Sequence, residues 1–177
     1  KFMDRRPHLR KGFHPTSMQP KLARALVNIS RIKKGQTLLD PFCGTGGILI
    51  EAGLVGCKLR GNDITKKMLE MTKLNLKSFK LRAKLTQKDA LQLKETADAV
   101  VTDLPYGKGS HSSLETKQLY EKFLQKSYDL LKPGKYLIAV FPRKIKFKSK
   151  LKFIKDIEFY MHGSLTRHII LAKKSKK

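Results

Sequence analysis

Acidic side chains are scarce in this sequence. Fourteen Asp and Glu stand against 39 Lys and Arg over 177 residues, a formal charge of +25 and a pI near 10.2. So lopsided a balance predicts a polyanionic partner, with nucleic acid first. Lysine-rich surfaces also suit hot-living proteins, but those raise Glu alongside Lys, and here the acids stay few. Cysteine is nearly absent as well. Cys43 and Cys57 are the only two, and neither sits in a Cys-x-x-Cys or Cys/His cluster. That spacing excludes a disulfide framework and a zinc site, so no metal is expected, and it points to a reducing, cytoplasmic compartment. Long apolar runs are missing too. None approaches the roughly 18 residues of a membrane span, and no signal-peptide pattern occurs. We therefore expect a soluble chain with no membrane partner, acting as a monomer. Neither an internal repeat nor a dividing linker is present, and the length prior gives one domain over 1–177. The first residue is Lys1 rather than Met, which reads as a piece of something longer.

Residues 1–17 form a basic arm in which two prolines and a glycine argue against regular structure. Ser17 is placed to cap a helix with Pro20 in its first turn. Leu22, Ala25, Leu26 and Ile29 then give that helix an apolar stripe. Gln36 to Leu39 reads as a buried strand and Ile48 to Ala52 as a helix. Strands follow at Lys58–Ile64, Lys84–Lys88, Ala97–Asp103 and Tyr136–Phe141. Helices are expected from Thr65 to about Leu76, with Ile64, Met68 and Met71 inward, and from about Lys117 to Leu131. Residues 107–116 carry no periodicity and read as a mobile loop. Ile154–His162 and Thr166–Ala172, joined at Gly163-Ser164, make a closing hairpin. Alternating strands and helices predict a three-layer α/β fold with a mostly parallel sheet and a C-terminal antiparallel hairpin.

The chemistry concentrates in two stretches. In Asp40-Pro41-Phe42-Cys43-Gly44-Thr45-Gly46-Gly47 a carboxylate ends a strand, and three glycines let the turn close against a ligand. Such a strand–turn–helix sits at the switch edge of an open α/β sheet. No Gly-Lys-Ser/Thr follows, so it is not a P-loop, and the glycine spacing departs from Gly-x-Gly-x-x-Gly. An S-adenosylmethionine loop remains, with Asp40 facing the cationic methionyl part of that cofactor. Asp63 follows Asp40 by 23 residues, near the about-20 spacing at which a βαβ unit offers a carboxylate to ribose hydroxyls.

The second stretch is Asp103-Leu104-Pro105-Tyr106, past a buried strand on the same edge. It suits methylation of an exocyclic amine on a flat base, whose lone pair is delocalised into the ring. Two acceptors, the Asp103 carboxylate and a turn carbonyl, would bind the amine hydrogens and favour the nucleophilic form. Pro105 fixes the turn, and Tyr106 offers a stacking face worth roughly 1–3 kcal/mol. Cys43 reads as a small residue fitted to its loop, since direct transfer to an amine needs no covalent enzyme intermediate. Basic Arg143 and Lys144, with Lys108 and Arg167 near the same edge, are candidates for RNA phosphates, contacts that position without reading sequence.

Phe13-His14-Pro15, Ser17 to Leu26, Asp40 to Gly47, Asp103 to Gly107 and Gly163-Ser164-Leu165-Thr166-Arg167 together resemble the catalytic domain of archaeal tRNA guanine-N2 methyltransferases acting at position 10. The resemblance covers nearly the whole chain and implies a Rossmann-like methyltransferase fold of seven strands. It implies that His14, Ser17 and Met18 join Asp40, Phe42, Cys43, Gly44, Thr45, Gly46 and Gly47 around the cofactor. Asp63 and Ile64 would take the ribose side, and Asp89 with Ala90 the adenine. Asp103 would hold guanine N2 and Tyr106 would stack on the base. Leu104 departs from the family, which more often has proline there. An N-terminal RNA-binding THUMP region accompanies the family, and nothing in these 177 residues corresponds to it. Two rivals stay open at this point: an N6-adenine methyltransferase of DNA or RNA, and a silent basic RNA-binding module of the same fold.

Overall fold

A computed structural model describes residues 1–106, 113–162 and 165–176. Its seven strands are β1 (Thr37–Asp40), β2 (Lys58–Asn62), β3 (Ala83–Thr86), β4 (Ala97–Asp103), β5 (Leu131–Phe141), β6 (Lys152–His162) and β7 (Leu165–Lys173). The helices are α1 (Pro20–Ile29), α2 (Gly47–Val55), α3 (Lys66–Ser78) and α4 (Ser113–Asp129), with short 3-10 turns at Met3–Arg5, Pro7–Leu9 and Ala90–Gln92. The strands form one sheet in the order β3-β2-β1-β4-β5-β7-β6. Neighbours up to β5 pair in parallel, and β7 runs antiparallel to both β5 and β6. The expected fold class is therefore the observed one, including the closing hairpin. Among the described residues, no helix is long and apolar enough to cross a membrane.

The strand order reverses between β1 and β4, where crossovers leave in opposite directions and open a crevice at the strand ends. Asp40 and Asp103 are the last residues of those two strands. β4 forms because Ala97, Ala99, Val100 and Val101 are apolar and compact enough to be covered on both faces, and all four are fully buried. One core packs α1 and α2 on Leu38, Ala99, Val101 and Ile138; the other packs Tyr120, Phe123 and Leu124 of α4 on Leu39, Val100 and Leu137.

Several local expectations give way to packing. The buried stripe of α1 is Leu22, Ala23, Leu26 and Val27, while Ala25 faces outward. Its N-cap is Gln19, and Ser17 bonds Thr45 instead of capping. Ile64 lies outside α3 and is 69% exposed; the fully covered face of α3 is Thr72, Asn75 and Leu76. β3 begins at Ala83, one residue early, and ends at Thr86. Residues 113–116, expected in a loop, form the first turn of α4, whereas 107–112 and Gly163-Ser164 lie outside the described residues. Pro133-Gly134 falls within β5 rather than ending a helix, with Gly134 at φ +75°.

The basic arm is latched to α2. Glu51 is fully buried and accepts from Arg5 at 2.7 and 3.2 Å and from Arg24 at 2.9 Å. Two guanidiniums offset the cost of burying one carboxylate. Arg10, 6% exposed, donates to Arg5 O and Met18 O, and burial depresses its pKa.

Candidate active site

The turn after β1 is fixed from both ends. Cys43 N donates to Asn62 O at 2.8 Å, and Gly46 N donates back to Cys43 O at 2.7 Å. Gly44 and Gly46 sit at φ +51° and +81°, in the left-handed region that glycine enters without cost. A Cβ on Gly46 would stand 3.0 Å from Thr72 Cγ2, whereas one on Gly44 would project into open space.

The carbonyls of this turn are held by α3. Thr72 Oγ1 donates to Gly44 O at 2.7 Å, and Asn75 Nδ2 donates to Thr45 O and Gly12 O, both at 2.9 Å. Asn75 Oδ1 also accepts from Gly12 N at 2.8 Å, so one fully buried amide joins the arm, the loop and α3. We expect Asn75→Ala to leave three buried backbone groups unpaired and to cost about 3–5 kcal/mol. A urea midpoint measures the loss, and trypsin should cut at Arg10 and Lys11 sooner.

Asp40 is 1% exposed. Its Oδ1 accepts from Thr102 Oγ1 at 2.6 Å and from Phe42 N at 3.3 Å. Burial pushes its pKa up to about 7 against the pull of those donors. Asp63 Oδ2 accepts from Gly44 N at 3.0 Å and Oδ1 from Thr65 N at 2.9 Å. Each oxygen keeps a second lone pair for a ligand. Asp89 is half-buried and caps the 3-10 turn through Leu91 N at 2.9 Å, with Ala90 buried behind it. Ser17 Oγ and Thr45 Oγ1 meet at 2.9 Å, His14 Nδ1 and Thr16 Oγ1 at 2.8 Å, and Met18 is buried beside Gly47. Cys43 is buried with its thiol pKa raised, which disfavours a thiolate.

Sequence reasoning overlooked Asn62, Thr72, Asn75 and Thr102. Buried Asn62 donates from Nδ2 to Pro41 O and Lys88 O, both at 3.0 Å, tying three strand ends into one rim. Polar residues three apart on an otherwise amphipathic helix, Thr72 and Asn75, were the available signal.

At the end of β4, Asp103 is paired with Arg167 of β7. Arg167 Nη1 lies 2.9 Å from Asp103 Oδ2, both side chains being largely buried. Among the described residues, Asp103 Oδ1 is buried without a hydrogen-bond partner, as are Tyr106 Oη and Arg167 Nε. Burial raises the Asp103 pKa to about 6, and Arg167 pulls the other way. The Arg167 guanidinium also stands 5.1 Å over the Tyr106 ring, and burial raises the pKa of that phenol. Arg167 was expected to face phosphate; the structure commits its charge to Asp103 and leaves the residue 7% exposed. Leu104 is fully buried, and its N–H donates to Val140 O at 3.0 Å, a bond that a proline could not make. Pro105 O accepts from Tyr120 Oη at 2.8 Å. Arg143 and Lys144 are exposed past the end of β5 and line a cavity of about 230 Å³ with Lys117 and Tyr120. Lys108 lies outside the described residues.

Comparison with known proteins follows the same lines. Residues 7–168 match the UPF0020 family, described as RMKL-like methyltransferase domains. The tRNA (guanine(10)-N2)-dimethyltransferase of Methanocaldococcus jannaschii is 43% identical over 98% of this chain and 51% of its own length. The enzyme of the same name from Methanothermobacter thermautotrophicus is 42% identical over 95% of this chain and 52% of its own. The chain thus spans about half the length of these two curated relatives. Among solved structures, TrmN from Thermus thermophilus superposes with a TM-score of 0.73 at 22% identity, covering 90% of this chain and 50% of that one, a likeness of fold. With a matched span running from the basic arm to β7, this chain belongs to the RMKL-like methyltransferase domain family.

Proposed function

We propose that this chain is the catalytic part of an S-adenosylmethionine-dependent tRNA methyltransferase that modifies the exocyclic N2 amine of guanosine, at position 10 of tRNA. The observation that carries the reading is Asp103. Its Oδ2 is committed to Arg167, while its Oδ1 is a buried acceptor without a donor, at the switch point beside the glycine turn. Relatives named for this reaction, more than 40% identical over nearly the whole chain, support the choice of guanine N2.

The residues present fit the cofactor. Open space over Gly44 gives it a cradle, the second lone pairs of Asp63 suit ribose hydroxyls, and ionised Asp40 suits a cationic methionyl group. Ser17 and Met18 reach the turn at Thr45 and Gly47; His14 and Phe42 would complete the wall, and Asp89 with Ala90 would take the adenine end. When bound, S-adenosylmethionine supplies a methyl group on a sulfonium that departs as a neutral thioether. The chain's task is to hold the amine in line. Asp103 Oδ1 accepts one N2 hydrogen and the carbonyl of Leu104 accepts the other. The amine lone pair is thereby turned out of conjugation with the ring. Asp103 then sits where the proton released from nitrogen can be taken up. Oδ1 is shut off from solvent, so base entry has to expose it, and the Tyr106 ring is then placed to stack on the base.

Arg143 and Lys144 take tRNA phosphate, with Lys108 on the same segment as the catalytic turn. A THUMP-type RNA-binding region outside these 177 residues would supply the rest of the tRNA grip. The chain works in the cytoplasm. A direct test is methylation of unmodified tRNA by the intact natural protein, with nucleosides separated by mass spectrometry. N2-methylated guanosine is the expected product, and methyladenosine with untouched guanosine would replace this reading by the N6-adenine one.

A further inference from the structure

Arg167 lies where the proposed reaction gives it work other than phosphate binding. Its guanidinium donates to Asp103 Oδ2 at 2.9 Å and stands 5.1 Å over the Tyr106 ring, while only 7% of the residue is exposed. β7 brings it there by inserting between β5 and β6, so that Arg167 pairs with Phe159 just beyond the row joining Asp103, Val140, Ile169 and Ile157. A buried arginine that satisfied its own charge with a carboxylate would normally make a bidentate fork. Here only Nη1 reaches the carboxylate, and among the described residues Nε has no partner and Oδ1 no donor.

We infer that Arg167 is a positioning residue for methyl transfer, clamping one oxygen of Asp103 so that the other is presented to the base amine, and bracing the Tyr106 ring beside it. The inference rests on the proposed function and deepens it. A one-oxygen clamp selects a single carboxylate rotamer, which an exposed aspartate would not hold. It also keeps the acceptor ionised: burial alone drives Asp103 toward its neutral form, in which one oxygen becomes a donor and no longer suits an amine hydrogen. Among the described residues, the charged and titratable groups that interact with Asp103 are Asp40 on β1, Tyr106 on the turn, Tyr120 on α4 and Arg167 on β7. Arg167 is the only cation among those four, so its removal leaves nothing among them to favour the carboxylate.

The test compares Arg167→Met and Arg167→Lys with the unaltered full-length protein on unmodified tRNA. The measurements are kcat against pH, affinity for S-adenosylhomocysteine, and tRNA affinity against salt. Arg167→Met should lower kcat at pH 7 by about 10–100-fold and move the acid limb upward by about one pH unit or more. Binding of S-adenosylhomocysteine and the salt slope of tRNA binding should stay within twofold of the original. Arg167→Lys should return the acid limb while recovering only part of kcat, because a point charge does not reproduce the planar clamp. If the methionine variant does not fold, the lysine variant alone decides: a restored limb with reduced kcat supports the clamp. An unmoved acid limb and unchanged kcat, together with weaker tRNA binding and a shallower salt slope, would overturn the inference and return Arg167 to phosphate. A normal protein that methylates no guanosine would defeat the proposed function instead, an outcome read from the unaltered enzyme before any variant is compared.

Discussion

Asp103→Asn should reduce methyl transfer to guanosine by about 10²–10⁴-fold at pH 7.5. The substitution keeps the shape and leaves an oxygen, but the amide must place a nitrogen or a neutral oxygen where the amine hydrogen points. It also strands Arg167, a largely buried cation whose partner has gone. Breaking a buried pair at one end costs about 3–5 kcal/mol, so the variant should melt earlier as well. The double variant Asp103→Asn with Arg167→Met removes both charges and should recover most of the stability while remaining inactive. Activity and folding are thereby separated, by kcat in one assay and a urea midpoint in the other. In the unaltered protein the same carboxylate should set an acid limb: with its pKa raised by burial to about 6, the ionised acceptor is lost as pH falls below that value.

Asp40→Asn should move stability and function in opposite directions. Asp40 is 1% exposed, and burial lifts its pKa from 3.8 to about 7 in the folded chain. A carboxyl group whose folded pKa is raised binds more protons in the native state, so stability falls as pH climbs from about 4 to 7. At pH 8 the ionised group opposes folding by up to about 4 kcal/mol, taking about 1.4 kcal/mol per pH unit. Asparagine keeps an oxygen for Thr102 Oγ1 and Phe42 N without the charge. The ligand-free variant should therefore melt up to about 8–16 °C higher at pH 8, at roughly 2–4 °C per kcal/mol, and the gain should vanish toward pH 4. Affinity for S-adenosylhomocysteine should drop about 10–100-fold, the worth of one charged hydrogen bond. Calorimetry in both modes reads the two effects from one preparation. A variant that is less stable at pH 8 would contradict the burial argument.

The strand ends that form the proposed catalytic edge were legible in the sequence because their determinants are local. Asp40 to Gly47 carries a strand end, left-handed glycines and a helix onset within eight residues, and Asp103 to Tyr106 follows its strand directly. What the sequence concealed depends on partners far along the chain. Arg167 meets Asp103 across 64 positions, and only the insertion of β7 beside β5 makes that possible. Ser17 has the composition of a helix cap, yet its hydroxyl goes to Thr45, 28 positions later. α3 was read from its apolar residues, although its covered face is built around Thr72 and Asn75, which hold the glycine turn. Periodicity weighs apolar side chains and is blind to a polar face that substitutes for a core. Ile64, apolar but 69% exposed, misled the same reading on the rim of the proposed ribose site.

All of this turns on where one carboxylate oxygen meets one amine. The decisive measurement is a structure of the full-length protein with S-adenosylhomocysteine and a guanosine-containing RNA. Asp103 Oδ1 should lie about 2.7–3.2 Å from guanine N2, with Oδ2 still on Arg167 and the Tyr106 ring against the base. A guanine whose N2 points away from Asp103, with the cofactor elsewhere than over Gly44, would contradict the account.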